Sequence, residues 1–182
     1  MKFEGDTSLV QQKMTGSSAG VARRLAVMNA LNLQTDDTLL DAGCGAGHLI
    51  KEIGLTVSTH GKAVGLDPSE TQLDAARLRC NGLGNAQFLC GMADKIDLAN
   101  ASCDAITSIQ TLDYIEDVDA TLGELVRLLK PRSRLVNVSV RWDHFKFHGA
   151  DEKLNDLIDD AWKAHCHHQM LPLELSGRLA KR

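Results

Sequence analysis

The chain has 182 residues, of which 43% are hydrophobic, and a formal net charge of −4 at pH 7. This length and apolar content predict one globular domain with its own core, and the lack of a basic excess argues against a nucleic acid partner. The five cysteines are never spaced as C-x-x-C, and no apolar run is long enough to span a membrane. We therefore expect a cytoplasmic protein with reduced thiols and no bound metal.

The first predicted element is a helix that precedes the first strand. Residues 17–32 form an amphipathic pattern, with Ser17 or Ser18 as the N-cap. We expect a single domain over 1–182, in which residues 1–34 form a helical cap on a core of residues 35–182. The helix should lie across the ligand-binding edge of that core, although a helix that only packs and contacts no ligand is the alternative.

Five short apolar segments predict strands that are buried on both faces. The patterns between them are helical: Ser69 and Gln72 form a capping-box signature, and Pro131 is expected to end a later helix. This alternation predicts an α/β fold, namely a Rossmann-like doubly wound parallel sheet of about five strands with helices on both faces. The predicted strands are 38–42, 62–67, 86–90, 103–109 and 134–140.

The two longer predicted helices each have an expected buried face. In the first, the face consists of Leu73, Ala76, Leu78 and Cys80. In the second, it consists of Leu122, Leu125, Val126 and Leu129.

The segment LLDAGCGAGHL (39–49) carries three glycines at alternate positions directly after the first predicted strand. In an open parallel sheet a ligand binds beyond the carboxyl ends of the strands, and glycine lets the backbone take positive φ and approach it closely. The spacing G-x-G-x-G differs from the dinucleotide fingerprint, and Asp41 would repel a pyrophosphate but attract an ammonium group. The turn therefore favours a cationic small molecule over a dinucleotide.

On these residues the chain resembles the class I S-adenosylmethionine-dependent methyltransferases. The glycine turn is similar to their first motif, AVGLDPSETQLDAARLR (63–79) to their second, and SCDAITSIQTLDYIEDVDATLGELVRLLKP (102–131) to their fourth-strand segment. Trp142-Asp143 and AWKAHC (161–166) resemble small-molecule methylases grouped with ubiquinone and menaquinone methyltransferases. The resemblance implies methyl transfer from S-adenosylmethionine to a small-molecule acceptor, at oxygen, nitrogen or carbon, with S-adenosylhomocysteine as product.

The resemblance also implies residue roles. Asp41 and the glycine backbone would hold the methionine part of the cofactor, Asp67 would accept hydrogen bonds from both ribose hydroxyls, and Pro68 would press on the adenine. A helix-capping role is the alternative for Asp67. The full implied cofactor site is Asp41, Gly43, Cys44, Gly45, Gly47, Asp67, Pro68, Met92, Ala93 and Gln110.

Three departures from the family pattern stand out. Met92 occupies the place of an acid that would accept the adenine amino group, so Asp94 or backbone groups would take that contact. Residues 130–134 replace a glycine pair in a turn expected to be remote from the cofactor. The chain stops where an antiparallel hairpin would begin, so we expect a truncated core with five strands and an exposed fifth-strand edge that invites homodimerisation.

Methyl transfer needs alignment more than a universal catalytic residue. Candidates for a general base are His144, His148, Tyr114 and Asp113, which follow the fourth and fifth predicted strands. The run His165–His168 is too poor in ligands on one helix face for a metal site. A cofactor-binding module without turnover is the main alternative function, and a dinucleotide-dependent oxidoreductase is a more distant one.

Overall fold

In the computed structural model, residues 6–144, 146–149 and 151–182 are described, and Asp6, Thr7 and Ser8 are described by their backbone only. Five strands form one sheet in the order β3-β2-β1-β4-β5, and every pairing between them is parallel. The order reverses beside β1, so the turn after that strand lies at the switch point of the sheet. The strands are β1 (Thr38–Ala42), β2 (Lys62–Asp67), β3 (Ala86–Cys90), β4 (Cys103–Ile109) and β5 (Leu129–Val138).

Helices cover both faces of this sheet, which confirms the predicted α/β doubly wound architecture. One face packs against α5 and α7, and the other packs against α2, α3 and α4, each around its own buried apolar cluster. None of the helices in the described ranges is long and apolar enough to cross a bilayer. The helices are α1 (Asp6–Gly16), α2 (Ser18–Leu31), α3 (His48–Thr56), α4 (Glu70–Arg79), α5 (Val118–Leu128), α6 (Glu152–His165) and α7 (Leu171–Leu179), with 3₁₀ turns at Leu112–Tyr114 and Trp142–His144.

The boundaries of the first four strands agree with the sequence prediction, but the prediction for the fifth was wrong. β5 begins at Leu129, which pairs with Cys103, and the register then shifts so that Arg134 pairs with Ala105. The intervening residues include Arg132, whose φ is 67°. The segment expected to be an independent turn is therefore an irregular stretch inside the strand.

Pro131 does not end α5, contrary to expectation. The helix stops at Leu128, and Leu129 already has an extended conformation, with φ −69° and ψ 134°. A residue preceding proline is biased away from the helical region, so the chain leaves the helix before it reaches the proline. β5 is the last strand in the sheet order, and dimerisation through its outer edge stays a prediction.

The expected buried faces of the helices need two corrections. Leu73, Ala76 and Cys80 are buried as predicted, but Leu78 is 78% exposed because it lies about half a turn away from them. In α5, Leu122 and Leu125 are buried, whereas Val126 is 38% exposed. Leu129, the last member of that predicted face, belongs to β5.

The N-terminal part contains one helix that the sequence prediction missed and one that it found. The missed helix is α1, whose segment had no clear apolar periodicity. α2 begins after Ser17, whose side chain accepts a hydrogen bond from the Gly20 N–H. Its later half buries Val27 and Leu31 against the sheet, while its first half lines the ligand-binding edge. The expectation that this helix lies across the ligand-binding edge therefore describes its first half, and the expectation that it packs on the core describes its second half.

Candidate active site

A cavity of about 580 Å³ lies at the carboxyl edge of the sheet. This volume is typical of sites for small organic molecules. It brings together the glycine turn, the segments after β4 and β5, and residues of α1, α2 and α6. Among the residues predicted for the site, those that line it are Asp41, Gly43, Cys44, Gly45, Gln110 and Tyr114, and those that sequence reasoning missed include Gln11, Arg23, Arg24, His48 and Trp162.

The glycines of the turn all have positive φ, at 82° for Gly43, 50° for Gly45 and 73° for Gly47. The reason why glycine is needed differs between these positions. A Cβ on Gly43 would lie 2.1 Å from the Thr111 Oγ1, and one on Gly47 would lie 2.7 Å from the Ala76 Cβ. A Cβ on Gly45 would meet its nearest atom, the Gln11 Nε2, at an ordinary contact distance of 3.6 Å. Close packing within the protein, rather than ligand approach, therefore explains the other two glycines.

The backbone N–H groups of the turn are mostly engaged inside the protein. Those of Gly43 and Cys44 donate to the Leu66 carbonyl oxygen at 2.8 and 2.9 Å, and that of Gly45 donates to the Asp67 carboxylate. The expectation that these N–H groups contact a ligand is therefore not met by the geometry of the turn. Side chains and the bare surface of Gly45 are what the turn presents to the cavity.

Asp41 is the acidic group of this cavity. It is the penultimate residue of β1, its side chain is buried, and its Oδ1 has no hydrogen-bond partner among the described residues. Burial, and then the charge of Asp67, raises its pKa to about 7. A buried carboxylate with an unused acceptor atom is suited to bind a cation, which would stabilise its charged form.

Asp67 ends β2 and links the turn to the next helix. Its Oδ2 accepts a hydrogen bond from the Gly45 N–H at 2.9 Å, and its Oδ1 accepts one from the Ser69 N–H at 3.0 Å. The N-cap of α4 is Ser69, which accepts from the Gln72 N–H, so the capping alternative for Asp67 was wrong. Burial raises the pKa of Asp67, although these two hydrogen bonds oppose that shift. Because each carboxylate oxygen has two lone pairs, both retain acceptor capacity for hydroxyl groups.

The other residues predicted to contact the adenine lie apart from the main cavity. Met92 is 58% exposed and Ala93 is buried, and both line a second cavity of about 320 Å³ together with Asp94. Pro68 is exposed and lines neither cavity. The adenine contacts of these residues stay a prediction.

The segment after β4 supplies Gln110 and Tyr114. Gln110 has a φ of 51°, its N–H donates to the Val138 carbonyl at 2.7 Å, and its side-chain oxygen accepts a hydrogen bond from Arg23. Tyr114 lines the cavity, and burial raises the pKa of its phenol. The phenol therefore stays protonated at neutral pH, which suits a hydrogen-bond donor better than a general base.

The other three candidates for a base lie away from the cavity lining. Asp113 is fully buried, has no hydrogen-bond partner of normal geometry among the described residues, and has a pKa raised to about 6, mainly by burial. His144 is exposed and contacts the Asp143 carboxylate at 2.6 Å, and His148 is exposed on a turn. None of these three side chains reaches the cavity, so a catalytic role for them stays a prediction without geometric support.

Two further polar side chains line the cavity beside the glycine turn. Arg24 is buried and donates to the Glu52 carboxylate at 2.8 Å and to the Thr15 carbonyl at 2.6 Å. Burial, followed by the charges of Arg79 and Arg24, lowers the pKa of His48 to about 4. His48 is therefore neutral at physiological pH, and its Nε2 is buried without a partner among the described residues.

Aromatic rings form the opposite wall of the cavity. Trp142 stacks on Trp162 with ring centroids 4.2 Å apart and an interplanar angle of 26°. Tyr114 lies beside Trp142, with centroids 6.5 Å apart and an angle of 55°. These rings come from three separate segments, and all three residues line the cavity, although Trp142 is only 7% exposed.

The chain matches the sequence profile of the family described as "Methyltransferase domain" over residues 33–176. It is 33% identical over 115 residues to an O-methyltransferase of Pyrenophora dematioidea, covering 61% of this chain and 42% of that protein. It is 32% identical over 115 residues to a demethylmenaquinone methyltransferase of Lactococcus lactis, covering 62% of this chain and 46% of that protein. The chain thus spans less than half the length of these curated relatives.

The fold is similar to that of geranyl diphosphate C-methyltransferase from Streptomyces coelicolor, whose crystal structure contains S-adenosyl-L-homocysteine. The TM-score is 0.72 at 21% identity, and the match covers 89% of this chain and 57% of that one.

Proposed function

We propose, because this chain belongs to the methyltransferase domain family of class I S-adenosylmethionine-dependent methyltransferases, that it binds S-adenosylmethionine and methylates a small-molecule acceptor. The observation that carries this proposal is the buried Asp41, which lines the cavity beside the glycine turn and whose Oδ1 has no hydrogen-bond partner among the described residues. The charge of an ammonium group is complementary to such a site, whereas that of a pyrophosphate is not.

The residues of the cavity fit this cofactor. Asp41 would hold the ammonium group, and the remaining lone pairs of Asp67 would accept from the ribose hydroxyls. The bare surface of Gly45 leaves room for the chain between them, since a Cβ there would lie 3.6 Å from the nearest side-chain atom, the Gln11 Nε2. His48 is neutral and half-buried beside the turn, and its Nε2 is a further polar atom without a partner among the described residues.

When bound, S-adenosylmethionine supplies an electrophilic methyl group: the acceptor bonds to that carbon as the carbon–sulfur bond breaks, which leaves S-adenosylhomocysteine and releases the acceptor's proton to solvent. The protein's contribution is alignment and exclusion of water. Tyr114, at the cavity wall, would contribute to this alignment through its ring. The aromatic side chains that line the cavity would pack against the acceptor.

Titration calorimetry with S-adenosylhomocysteine and with NAD tests this proposal. We expect S-adenosylhomocysteine to bind more tightly, and equal or tighter binding of NAD would refute the proposed cofactor. The variant Asp67→Ala should lose about 2–4 kcal/mol of affinity for S-adenosylhomocysteine, because it removes two charge-assisted acceptors. It should also lose about 1–2 kcal/mol of unfolding free energy, since the N–H groups of Gly45 and Ser69 lose their partner.

Asp74→Ala is the matched control, because Asp74 is an exposed carboxylate of α4 that pairs with Arg77 on the surface. It should change neither quantity measurably. A loss of stability in Asp67→Ala without any loss of affinity would remove Asp67 from the cofactor site.

A further inference from the structure

A buried junction of three segments lies next to the aromatic side chains of the cavity. The segments that meet there follow β4, follow β5 and connect α6 to α7, and they are residues 111–116, 139–142 and 166–170. The N–H of His168 donates to the Asp113 carbonyl oxygen at 3.1 Å, and the N–H of Trp142 donates to the Gln169 carbonyl oxygen at 3.1 Å. The connector between α6 and α7 is therefore bonded to both of the other segments.

Asp113 is the acidic group of this junction. Its side chain is 0% exposed, and no lysine, arginine or histidine among the described residues forms an ion pair with it. Burial raises its pKa to about 6, while the hydroxyl of Ser139 and the N–H of Val140 oppose that shift. Both donors therefore lie close to the carboxyl group, although neither meets it with normal hydrogen-bond geometry. A carboxylate that has only neutral donors is costly to bury in its charged form.

The other titratable groups at the junction do not balance this charge. Burial is the main cause that raises the pKa of the Cys166 thiol and of the Tyr114 phenol, and the charge of Asp113 adds to it. The ring of His168 contacts the Glu116 carbonyl oxygen instead, at 3.2 Å. The charged side chains after β5 pair with one another, and they are Arg141, Asp143 and His144. Ionisation of Asp113 therefore places an unbalanced charge inside the junction.

The second hydrogen bond of Ser139 fixes what its hydroxyl offers to Asp113. The side-chain N–H of Asn137 donates to the Ser139 Oγ at 2.9 Å. A serine hydroxyl accepts through its lone pairs and has one proton to donate, so this arrangement leaves the proton available for the carboxyl group. The segment after β5 is thus coupled to the protonation state of a residue that follows β4.

The aromatic residues of the cavity all lie close in sequence to this junction. Tyr114 directly follows Asp113, and Trp142 is the last residue of the segment after β5. The Trp162 carbonyl oxygen accepts a hydrogen bond from the Cys166 N–H at 2.9 Å. Ring stacking has a specific geometry. A small displacement of one segment therefore changes the contact between the two tryptophan rings, whose centroids are 4.2 Å apart.

We propose that Asp113 is a positioning residue, whose carboxyl group controls how closely Trp142 stacks on Trp162 beside the cavity. The inference goes beyond the proposed function and does not depend on it, because the stack is formed by the protein alone. When Asp113 is protonated, the junction is neutral and its three segments pack closely. When Asp113 is ionised, a local separation of the segments admits water to the charge, and the rings move apart. The shape of the cavity thus changes with pH.

The direction of this change follows from the linkage between protonation and stability. The pKa of Asp113 in the folded protein is about 6, above its ordinary value of 3.8. Its contribution to the stability of the junction is therefore complete below the ordinary value and is lost as pH rises through about 6. We expect a close stack at about pH 5 and a looser one at about pH 8.

Near-ultraviolet circular dichroism and tryptophan fluorescence of the ligand-free protein test this coupling. The chain has two tryptophans, and they are the stacked pair, so both signals report on this contact. We expect one transition with a midpoint at about pH 6, in which the signal of the stack weakens as pH rises. Asp113→Asn, which carries no charge, should keep the signal of the low-pH form up to about pH 8. Ser139→Ala should move the midpoint to higher pH, because it removes a donor that favours the charged carboxylate.

His144→Gln and Asp156→Asn are the controls. His144 lies in the same 3₁₀ turn as Trp142, and Asp156 is an exposed carboxylate of α6, the helix that carries Trp162. Both variants should retain the transition of the wild type. Far-ultraviolet circular dichroism should stay constant across the same pH range, because the two cores of the sheet remain folded.

Three results would overturn the proposal: no transition in the wild type, a stack signal that strengthens as pH rises, or a transition that Asp113→Asn retains. Loss of the transition in His144→Gln would also overturn it, because the exposed histidine would then be the group that titrates. If Asp113→Asn does not fold, Ser139→Ala decides. A midpoint shifted to higher pH supports the role of Asp113, and an unchanged midpoint refutes it.

Discussion

The two ends of the cavity are built in different ways. The end beside the glycine turn comes mainly from one short stretch, from Asp41 to Leu49. The aromatic end is assembled from α2, the segments after β4 and β5, and α6. The first end is fixed by local backbone geometry, whereas the second depends on how distant segments pack, and this difference determines how each responds to substitution.

The largest effect should come from Gly43, where the turn leaves no room for a side chain. Gly43→Ala combines a φ of 82° with a Cβ 2.1 Å from the Thr111 Oγ1, and we expect it to lower the unfolding free energy by about 3 kcal/mol. Gly82→Ala is the matched control, since its φ is 89° but nothing lies within 4 Å of the added Cβ. It should cost about 1 kcal/mol. Equal urea midpoints for the two variants would show that close packing does not explain this glycine.

Asp41 should show the second largest effect, with opposite signs for stability and for binding. Its pKa in the folded protein, about 7, lies above its ordinary value of 3.8, so the unfolding free energy is greatest below the lower value and falls as pH rises toward the higher one. Asp41→Asn removes this penalty and should raise the unfolding free energy at about pH 8 by on the order of 1–3 kcal/mol.

Binding should follow the reverse trend, because the ammonium group prefers the charged carboxylate. The affinity of the wild-type protein for S-adenosylhomocysteine should rise as pH increases through about 7, and Asp41→Asn should bind weakly with little such dependence. Calorimetry and urea unfolding across this range measure both trends. A variant that is less stable than the wild type at about pH 8 would contradict the assigned burial cost.

A smaller effect is expected at Met92, and it tests how the adenine of the cofactor would be bound. If the adenine amino group lacks an acceptor, Met92→Asp should tighten binding of S-adenosylhomocysteine by about 0.5–1.5 kcal/mol. Asp94→Asn is the companion variant, because Asp94 lines the same small cavity. If Met92→Asp has no effect while Asp94→Asn weakens binding, then Asp94 already accepts that hydrogen bond.

The smallest effect is expected at Arg132 of β5, which has a positive φ like the glycines of the turn. Arg132 has a φ of 67° and is exposed, so its left-handed conformation costs energy that glycine would avoid. Arg132→Gly should raise the unfolding free energy by about 0.5–1 kcal/mol, after allowance for the greater freedom of glycine in the unfolded chain. Thermal or urea unfolding measures this gain, and a destabilised variant would mean that the Arg132 side chain makes a stabilising contact.

The contrast between the two ends also explains what the sequence could predict. Alternating apolar runs and caps such as Ser69 are local signals, and they located four strands, the sheet type and the turn from Asp41 to Gly47. The reason why Gly43 and Gly47 must be glycines could not be read from the local sequence, because the residues they pack against, Thr111 and Ala76, come from other segments. The same holds for Arg23 and Arg24, since nothing in the local sequence indicates that the first bonds to Gln110 and the second to Glu52.

The wrong prediction for β5 and the expectations that the geometry does not support share a physical origin. The irregular start of β5 arises from a register shift against β4, and no periodicity within 129–134 reports a shift that depends on the partner strand. Trp142 and Trp162 were noted as motif residues, but their stacking required the fold. His144 and His148 were chosen because they follow a strand end, and that criterion does not say which way a side chain is directed.

The first helix has a consequence for how molecules reach the cavity. Among the residues of α1 whose side chains are described, none is buried, and a link to the glycine turn region is the hydrogen bond between Gln72 and Gln11, at 2.5 Å. A helix with so little buried apolar surface can detach at a small fraction of the free energy of global unfolding. Because residues of α1 line the cavity, we expect ligand exchange to require a local detachment of this helix while both cores of the sheet stay intact.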